Sequence, residues 1–295
     1  MGTTLAFSLT AIAGPQGGQV VSGKAIITNP NANTTIINQQ SNRTVIDWSS
    51  FNVAANESVD FQQPSVSAAA LNRIFDQNPS QILGSINANG QVYLLNPNGI
   101  VFGKSATVNV GALFATGLNI SNSDFMTGKL DFNDGDGAVI NHGLLQATKG
   151  GSINLIGSQV FNDGIIVANL GQVNMAAGSA VTVDFDGDGL LQFEVSKPTL
   201  HSMLNAQTGA AVTNAGTVQA DGGAVVMTAN VAADVFEQAV NNSGVITAAG
   251  VTDRNGSVFL TGSDSGDPAV AAQKQPTINT FVTHSGSITL NGKGG

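Results

Sequence analysis

The chain has no cysteine, and charged residues make up only 10% of its 295 positions. Without cysteine there is no disulfide framework, thiolate metal site or thiol nucleophile. So few charges argue against long surface helices, whose solvent faces need many Lys, Glu and Arg. Ten basic residues against nineteen acidic stand singly along the chain, so the concentrated positive surface that nucleic acid requires is missing. No apolar run approaches the roughly 18 residues that cross a bilayer as a helix, and no membrane-spanning segment is expected. Aromatics are only 5%, so the apolar volume is mostly small and suits a slender stack better than a globular core.

What is abundant is glycine, at 36 residues, with Val, Ile, Thr and Asn, a composition of strands joined by tight turns. A phrase recurs in the second half. Asn141-His142-Gly143 opens a strand, a turn at Gly150-Gly151 and a second strand, and the pattern returns at Asn162-Asp163-Gly164, Asn214-Ala215-Gly216 and Asn242-Ser243-Gly244. A degenerate copy begins at His284-Ser285-Gly286. The first two starts differ by 21 residues and the last two by 42, twice that, while gaps of 52 and 28 need insertions. A period near 21 is read as one coil. Each copy holds two alternating strands that cannot bury their apolar faces alone, so successive coils must stack in parallel. The predicted fold is all-β, a right-handed parallel β-helix with an N-terminal β cap and extra-helical hairpins. Asn at one point of successive coils is expected to form a hydrogen-bonded ladder, with Gly permitting the corners. A β-sandwich with similar turns would not explain a repeated phrase.

An open stack exposes strand edges, so the first coil needs a cap. Residues 18–61 do not follow the repeat and are expected to supply it, with Val45, Trp48, Phe51, Val59 and Phe61 closing the interior. Gly292-Lys293-Gly294-Gly295 stops in mid-pattern, and the chain is expected to be the front piece of a longer protein. Residues 5–13 are apolar and end in Ala11-Ile12-Ala13 before Gly14, which resembles the end of a signal peptide without its positive n-region. Residues 1–13 are read as a signal-peptide remnant, the alternative being an ordinary first strand. Residues 14–295 are read as one domain, with cap and motif region over 14–120 and coils with insertions over 121–295.

Asn96-Pro97-Asn98-Gly99-Ile100 follows a short apolar strand. Pro97 fixes a backbone angle and Asn98-Gly99 tolerate positive φ, so a sharp reversal is expected. Upstream stand Val45-Ile46-Asp47-Trp48, Phe51-Asn52-Val53, Val59-Asp60-Phe61, Leu71-Asn72-Arg73-Ile74 and Ile82-Leu83-Gly84. In that order and spacing, residues 18–117 resemble the N-terminal secretion domain of two-partner secretion exoproteins, the family of filamentous hemagglutinin, and are closest to its high-molecular-weight adhesin branch. The second, Leu-ended Asn-Pro-Asn motif of the filamentous hemagglutinin branch is absent, and Asn29-Pro30-Asn31 is read as an ordinary turn.

The resemblance implies a non-enzymatic targeting module that needs no cofactor. Its partner would be an outer-membrane transporter with periplasmic POTRA domains, and its destination the surface or medium of a Gram-negative bacterium. Asn72, Arg73, Asn96, Pro97, Asn98, Gly99 and Ile100 are the residues it assigns to secretion and partner recognition. Arg73 is expected to pair with a carboxylate or with turn carbonyls and lock the cap. The alternative function is an adhesin module binding host glycans or proteins.

Asp184, Asp186 and Asp188 have the alternate spacing of calcium loops, with Asn133-Asp134-Gly135-Asp136-Gly137 as a weaker echo. Val195 stands where such a loop needs Glu, and the resemblance favours a hairpin at this point instead. A calcium-dependent polysaccharide lyase would need a basic residue beside acidic ligands. Arg43, Arg73 and Arg254 are too scattered for that, and His142, His201 and His284 show no nucleophile or acidic partner in the sequence.

Overall fold

In the computed structural model the described residues are 14–185, 191–199, 209–231, 236, 238–250, 256–264 and 282–290. Runs of β-branched and apolar residues interrupted by Gly, Asn and Pro form short strands, and these wind into a three-faced parallel β-helix. The first face carries Arg43–Trp48, Ala69–Ile74, Gln91–Leu95, Ala112–Thr116, Ser152–Gly157, Gln172–Ala177, Ala224–Val231 and Ser257–Asp264. The second carries Ser80–Ile82, Ile100–Phe102, Val139–Asn141, Val160–Asn162, Ala210–Asn214, Gln238–Asn242 and Val282–His284. The third runs from Thr34–Gln39 and Ser58–Gln62 through Ser85–Ala88 and Thr107–Val110 to Leu144–Ala147, Ile165–Val167, Thr217–Gln219, Val245–Thr247 and Ser287–Thr289.

Each coil therefore holds three strands, not the two expected. The missed strand ends in the Asn of the phrase, and with three residues at Val139–Asn141 and Val160–Asn162 it is too short to show alternation. The 42-residue step is also corrected. Asn242 pairs directly with His284, in register, so it is one coil and not two. The 52-residue gap does hold an insertion, the antiparallel pair Ala180–Phe185 and Leu191–Lys197.

The antiparallel cap is narrower than 18–61. Gln19–Ser22 lies antiparallel to Arg43–Trp48, and Ala25–Asn31 antiparallel to Thr34–Gln39. Thr34–Gln39 and Arg43–Trp48 already pair in parallel with the next coil. Trp48, Phe51, Val59 and Phe61 close the interior as expected, but Val45 points outward into a second apolar cluster.

That second cluster is built by an excursion between coils. Asn122–Thr127 is a short helix started by Ser121, whose hydroxyl accepts from the Asp124 amide, and ended by Gly128 at φ 88°. The order Ser-x-x-Asp is the signal of a capped N-terminus. Leu130–Asn133 then joins the Ala180–Phe185 pair in a three-stranded antiparallel sheet. Together they cover the outside of the first face from Arg43–Trp48 to Gln172–Ala177, so these strands carry apolar residues buried on both sides. Val92 and Leu94 face the interior, while Tyr93 and Leu95 pack under the excursion.

The expected ladder is present. Asn141 donates to Asn162 (2.8 Å), Asn162 to Asn214 (2.7 Å) and Asn214 to Asn242 (2.7 Å), all fully buried. The corner glycines serve by space rather than by positive φ. A Cβ on Gly164 would lie 2.3 Å from the Gly143 carbonyl oxygen, and one on Gly216 2.2 Å from that of Gly164.

Candidate functional site

The corner that carries the chain from the first face to the second gathers both segments singled out by sequence. Asn96 follows the strand Gln91–Leu95 and is fully buried. Its amide donates to the Asn78 carbonyl and the Ser80 hydroxyl, both at 3.0 Å, in the preceding coil. Its Oδ1 accepts from the Asn98 amide at 2.9 Å, and the Gly99 amide donates to the Asn96 carbonyl at 2.8 Å. Asn first, Pro second and Gly fourth are the preferences of a hydrogen-bonded turn whose first side chain also closes on the backbone. Of the two residues expected to tolerate positive φ, Gly99 alone uses it, at 107°. The turn is a corner and not a hairpin, since the strands on its two sides belong to different sheets.

Gly99 and Ile100 knit three coils. The Ser80 amide donates to the Gly99 carbonyl and the Ile100 amide to the Ala138 carbonyl, both at 3.0 Å. A Cβ on Gly99 would lie 2.8 Å from that same Ala138 oxygen. Pro97 is half-buried and Asn98 exposed, yet Asn98 Nδ2 donates 2.8 Å to the Asp76 carbonyl one coil back.

Asn72 and Arg73 lie on opposite sides of one strand. Asn72 is inside, accepting from the Trp48 indole at 3.0 Å and donating to the Tyr93 carbonyl at 3.1 Å. Arg73 is outside and meets both kinds of partner expected of it. Its Nη1 stands 3.7 Å from Asp47 Oδ1, while Nε donates to Asn119 Oδ1 (3.2 Å) and Nη2 to the Ile120 carbonyl (2.6 Å). It thus ties the first coils to the loop that leads into the helix.

Arg43, at the other end of the neighbouring strand and also on the outer surface, donates to the Phe125 carbonyl at 2.8 Å and stands 5.0 Å over the Phe125 ring. Tyr93 stacks on Phe114 with centroids 4.3 Å apart and meets Phe125 edge-on. Burial pushes the Tyr93 phenol up, beyond the usual tyrosine range, against a weaker opposing effect of Arg43.

Sequence reasoning missed the partners of this corner, Asp76, Asn78 and Ser80, and the Asn119 partner of Arg73. One signal was available: Asn78-Pro79 is itself a turn dipeptide. The acidic phrases resolve differently. Asp184 lies in a strand opposite Gln192, in the hairpin favoured above, while Asp186 and Asp188 lie outside the described residues. Residues 133–137 return the excursion to the helix, where a Cβ on Gly135 would lie 2.1 Å from the Gly117 oxygen. Among the described residues no cluster of three or more His, Cys, Asp or Glu is placed to hold a metal.

His142 does have an acidic partner, contrary to expectation. Its Nδ1 meets Asp163 Oδ1 of the next coil on the surface. The pair is 21 residues apart, one coil, which is why local sequence did not reveal it. His284 ends the Asn ladder, 2.9 Å from Asn242 Nδ2. His201 and Arg254 lie outside the described residues.

A family model for the TPS secretion domain matches residues 11–289. The solved structure of the HMW1 secretion domain from Haemophilus influenzae superposes with a TM-score of 0.73 at 28% identity, covering 95% of this chain and 74% of that one. Two heme/hemopexin-binding proteins of Haemophilus influenzae align at 38% identity over 177 residues and at 42% over 102. These alignments take in 56% and 35% of this chain but only 19% and 11% of those relatives. The chain belongs to the TPS secretion domain family, the secretion-targeting domains of two-partner secretion exoproteins that cross the Gram-negative outer membrane.

Proposed function

We propose that the Asn72-Arg73 and Asn96–Ile100 segments are recognised by the periplasmic POTRA domains of an outer-membrane transporter while the chain is still extended. They become the folding lock of the first coils once it emerges. Support comes from one observation above all: Asn72, Asn96, Gly99 and Ile100 are buried in the folded domain. A partner that reads them must do so before the coils close. In an extended chain the same residues offer backbone groups for strand addition to a sheet edge, with side chains free for recognition.

Folding outside then gives the direction. Each new coil lays apolar residues on the previous one, at roughly 25 cal/mol per Å² removed from water. No nucleotide-driven step at the outer membrane is proposed, and no enzymatic one. The heme/hemopexin binding named for the two relatives belongs to proteins of which the aligned region is 19% or less, and it is not assigned to these residues. Adhesion to host glycans or proteins is the second function, and binding of the purified domain to cells would favour it.

The test is export of this domain in a Gram-negative host with and without its transporter, with medium and periplasm assayed separately. Release that depends on the transporter is expected. Periplasmic retention in both strains would overturn the proposal.

A further inference from the structure

We infer that the domain carries a receptor for its own processed N-terminus: Glu57 is built to hold the α-ammonium of Gly14 after the bond between Ala13 and Gly14 is cut. Glu57 is only 4% exposed. One oxygen, Oε2, accepts from the Ala54 amide at 2.7 Å and from the Gly14 amide at 2.9 Å. The other, Oε1, is buried without any hydrogen-bond partner. Among the described residues no Lys, Arg or His forms an ion pair with it.

A buried carboxylate lacking a counter-charge and holding an orphan oxygen is costly. The same geometry becomes favourable once the atom already at 2.9 Å is a cation. Hydrolysis of the Ala13–Gly14 bond, catalysed by a signal-type endopeptidase, consumes one water. It leaves a carboxylate on Ala13 and an amine on Gly14, which takes up a proton. One N–H donor then becomes three on a positive nitrogen, giving charge-assisted bonds and a donor for Oε1. The small-x-small triplet Ala11-Ile12-Ala13 places the cut at this bond.

The chain just after the cut is already tied to the cap. Pro15 is buried. The Gln16 amide donates to the Ser50 carbonyl, and the Ser49 amide to that of Gln16, both at 2.9 Å. Glu57 itself stands in the loop leading into Ser58–Gln62, whose first residue pairs with Thr34. Processing would therefore add an ion pair at the point where the first coil is sealed. The inference goes beyond transport and does not need it, because a domain retained in the periplasm would still begin at Gly14.

The chain is expressed in a Gram-negative host with a positive n-region supplied ahead of residues 5–13, and the recovered protein is analysed by mass spectrometry and by limited acetylation in the folded and the urea-denatured state. The expected first residue is Gly14. Its amine should react on the order of tenfold more slowly in the folded domain than in the denatured chain, the factor that about 1.4 kcal/mol of interaction gives. In Glu57→Gln, which keeps an oxygen acceptor for the Ala54 amide, that protection should disappear while the emission of Trp48 stays native. A first residue other than Gly14, or a wild-type Gly14 amine as reactive in the folded domain as in the denatured chain, would overturn the inference. If Glu57→Gln fails to fold, those two wild-type results still decide it.

Discussion

The indole of Trp48 donates a hydrogen bond to the side-chain oxygen of Asn72, 3.0 Å away in the next coil, with both residues buried. The bond joins the lone tryptophan of the chain to the Leu-Asn-Arg-Ile segment, so the seal of the cap and the secretion segment are one structure. Removing the acceptor strands a buried donor. Asn72→Ala is expected to cost about 1–3 kcal/mol, read as a lower denaturant midpoint by Trp48 emission. An unchanged midpoint would show that the bond contributes nothing net.

The ladder is a chain of amides, each both donor and acceptor, and its middle member serves two neighbours. Asn162→Ala leaves the Asn141 amide without its acceptor and the Asn214 oxygen without its donor. Two such losses amount to about 2–4 kcal/mol. Asn162→Asp should be worse, since a charged carboxylate cannot donate to Asn214 and would be buried without a counter-charge. Chemical denaturation of the two variants checks the order.

Gly164→Ala tests the corner. The added methyl would lie 2.3 Å from a backbone oxygen of the previous coil, and backbone in a stacked coil has little room to yield. A loss of about 1–3 kcal/mol is expected, measured by thermal unfolding. Gly150→Ala meets nothing within 4 Å but has φ 82°, so its cost comes from backbone strain, about 1–2 kcal/mol.

The single tyrosine reports the outer cluster. Burial raises the Tyr93 pKa in the folded state, whereas an unfolded tyrosine ionises near about 10. The folded state therefore binds the proton more tightly. Its contribution is fully present below the unfolded value and is lost as pH rises from there toward the folded one. Phenolate absorbance should appear only as the protein unfolds. A reversible titration near about pH 10 with native Trp48 emission would contradict the burial.

Much of this was legible because the repeat is written in residue identities. Asn141, Asn162, Asn214 and Asn242 mark one buried point on successive coils, and the glycines after them mark the corner. What stayed hidden was local or long-range in the wrong measure. A three-residue strand such as Val160–Asn162 has no period to detect. Neither Arg73 to Ile120 nor Arg43 to Phe125 can be read from spacing, because the excursion that brings them together folds back over 47 and 82 residues. Val45 went to the wrong cluster for the same reason. A strand buried on both faces gives no alternation to say which way is in.

The most direct measurement compares export of three variants through the transporter: Asn96→Ala, Asn98→Ala and Asn162→Ala. The first two alter the corner turn and the third a ladder deeper in the helix. The account predicts that Asn96→Ala and Asn98→Ala lower the exported fraction well below that of Asn162→Ala, with all three present in the periplasm. Equal export of all three would contradict it.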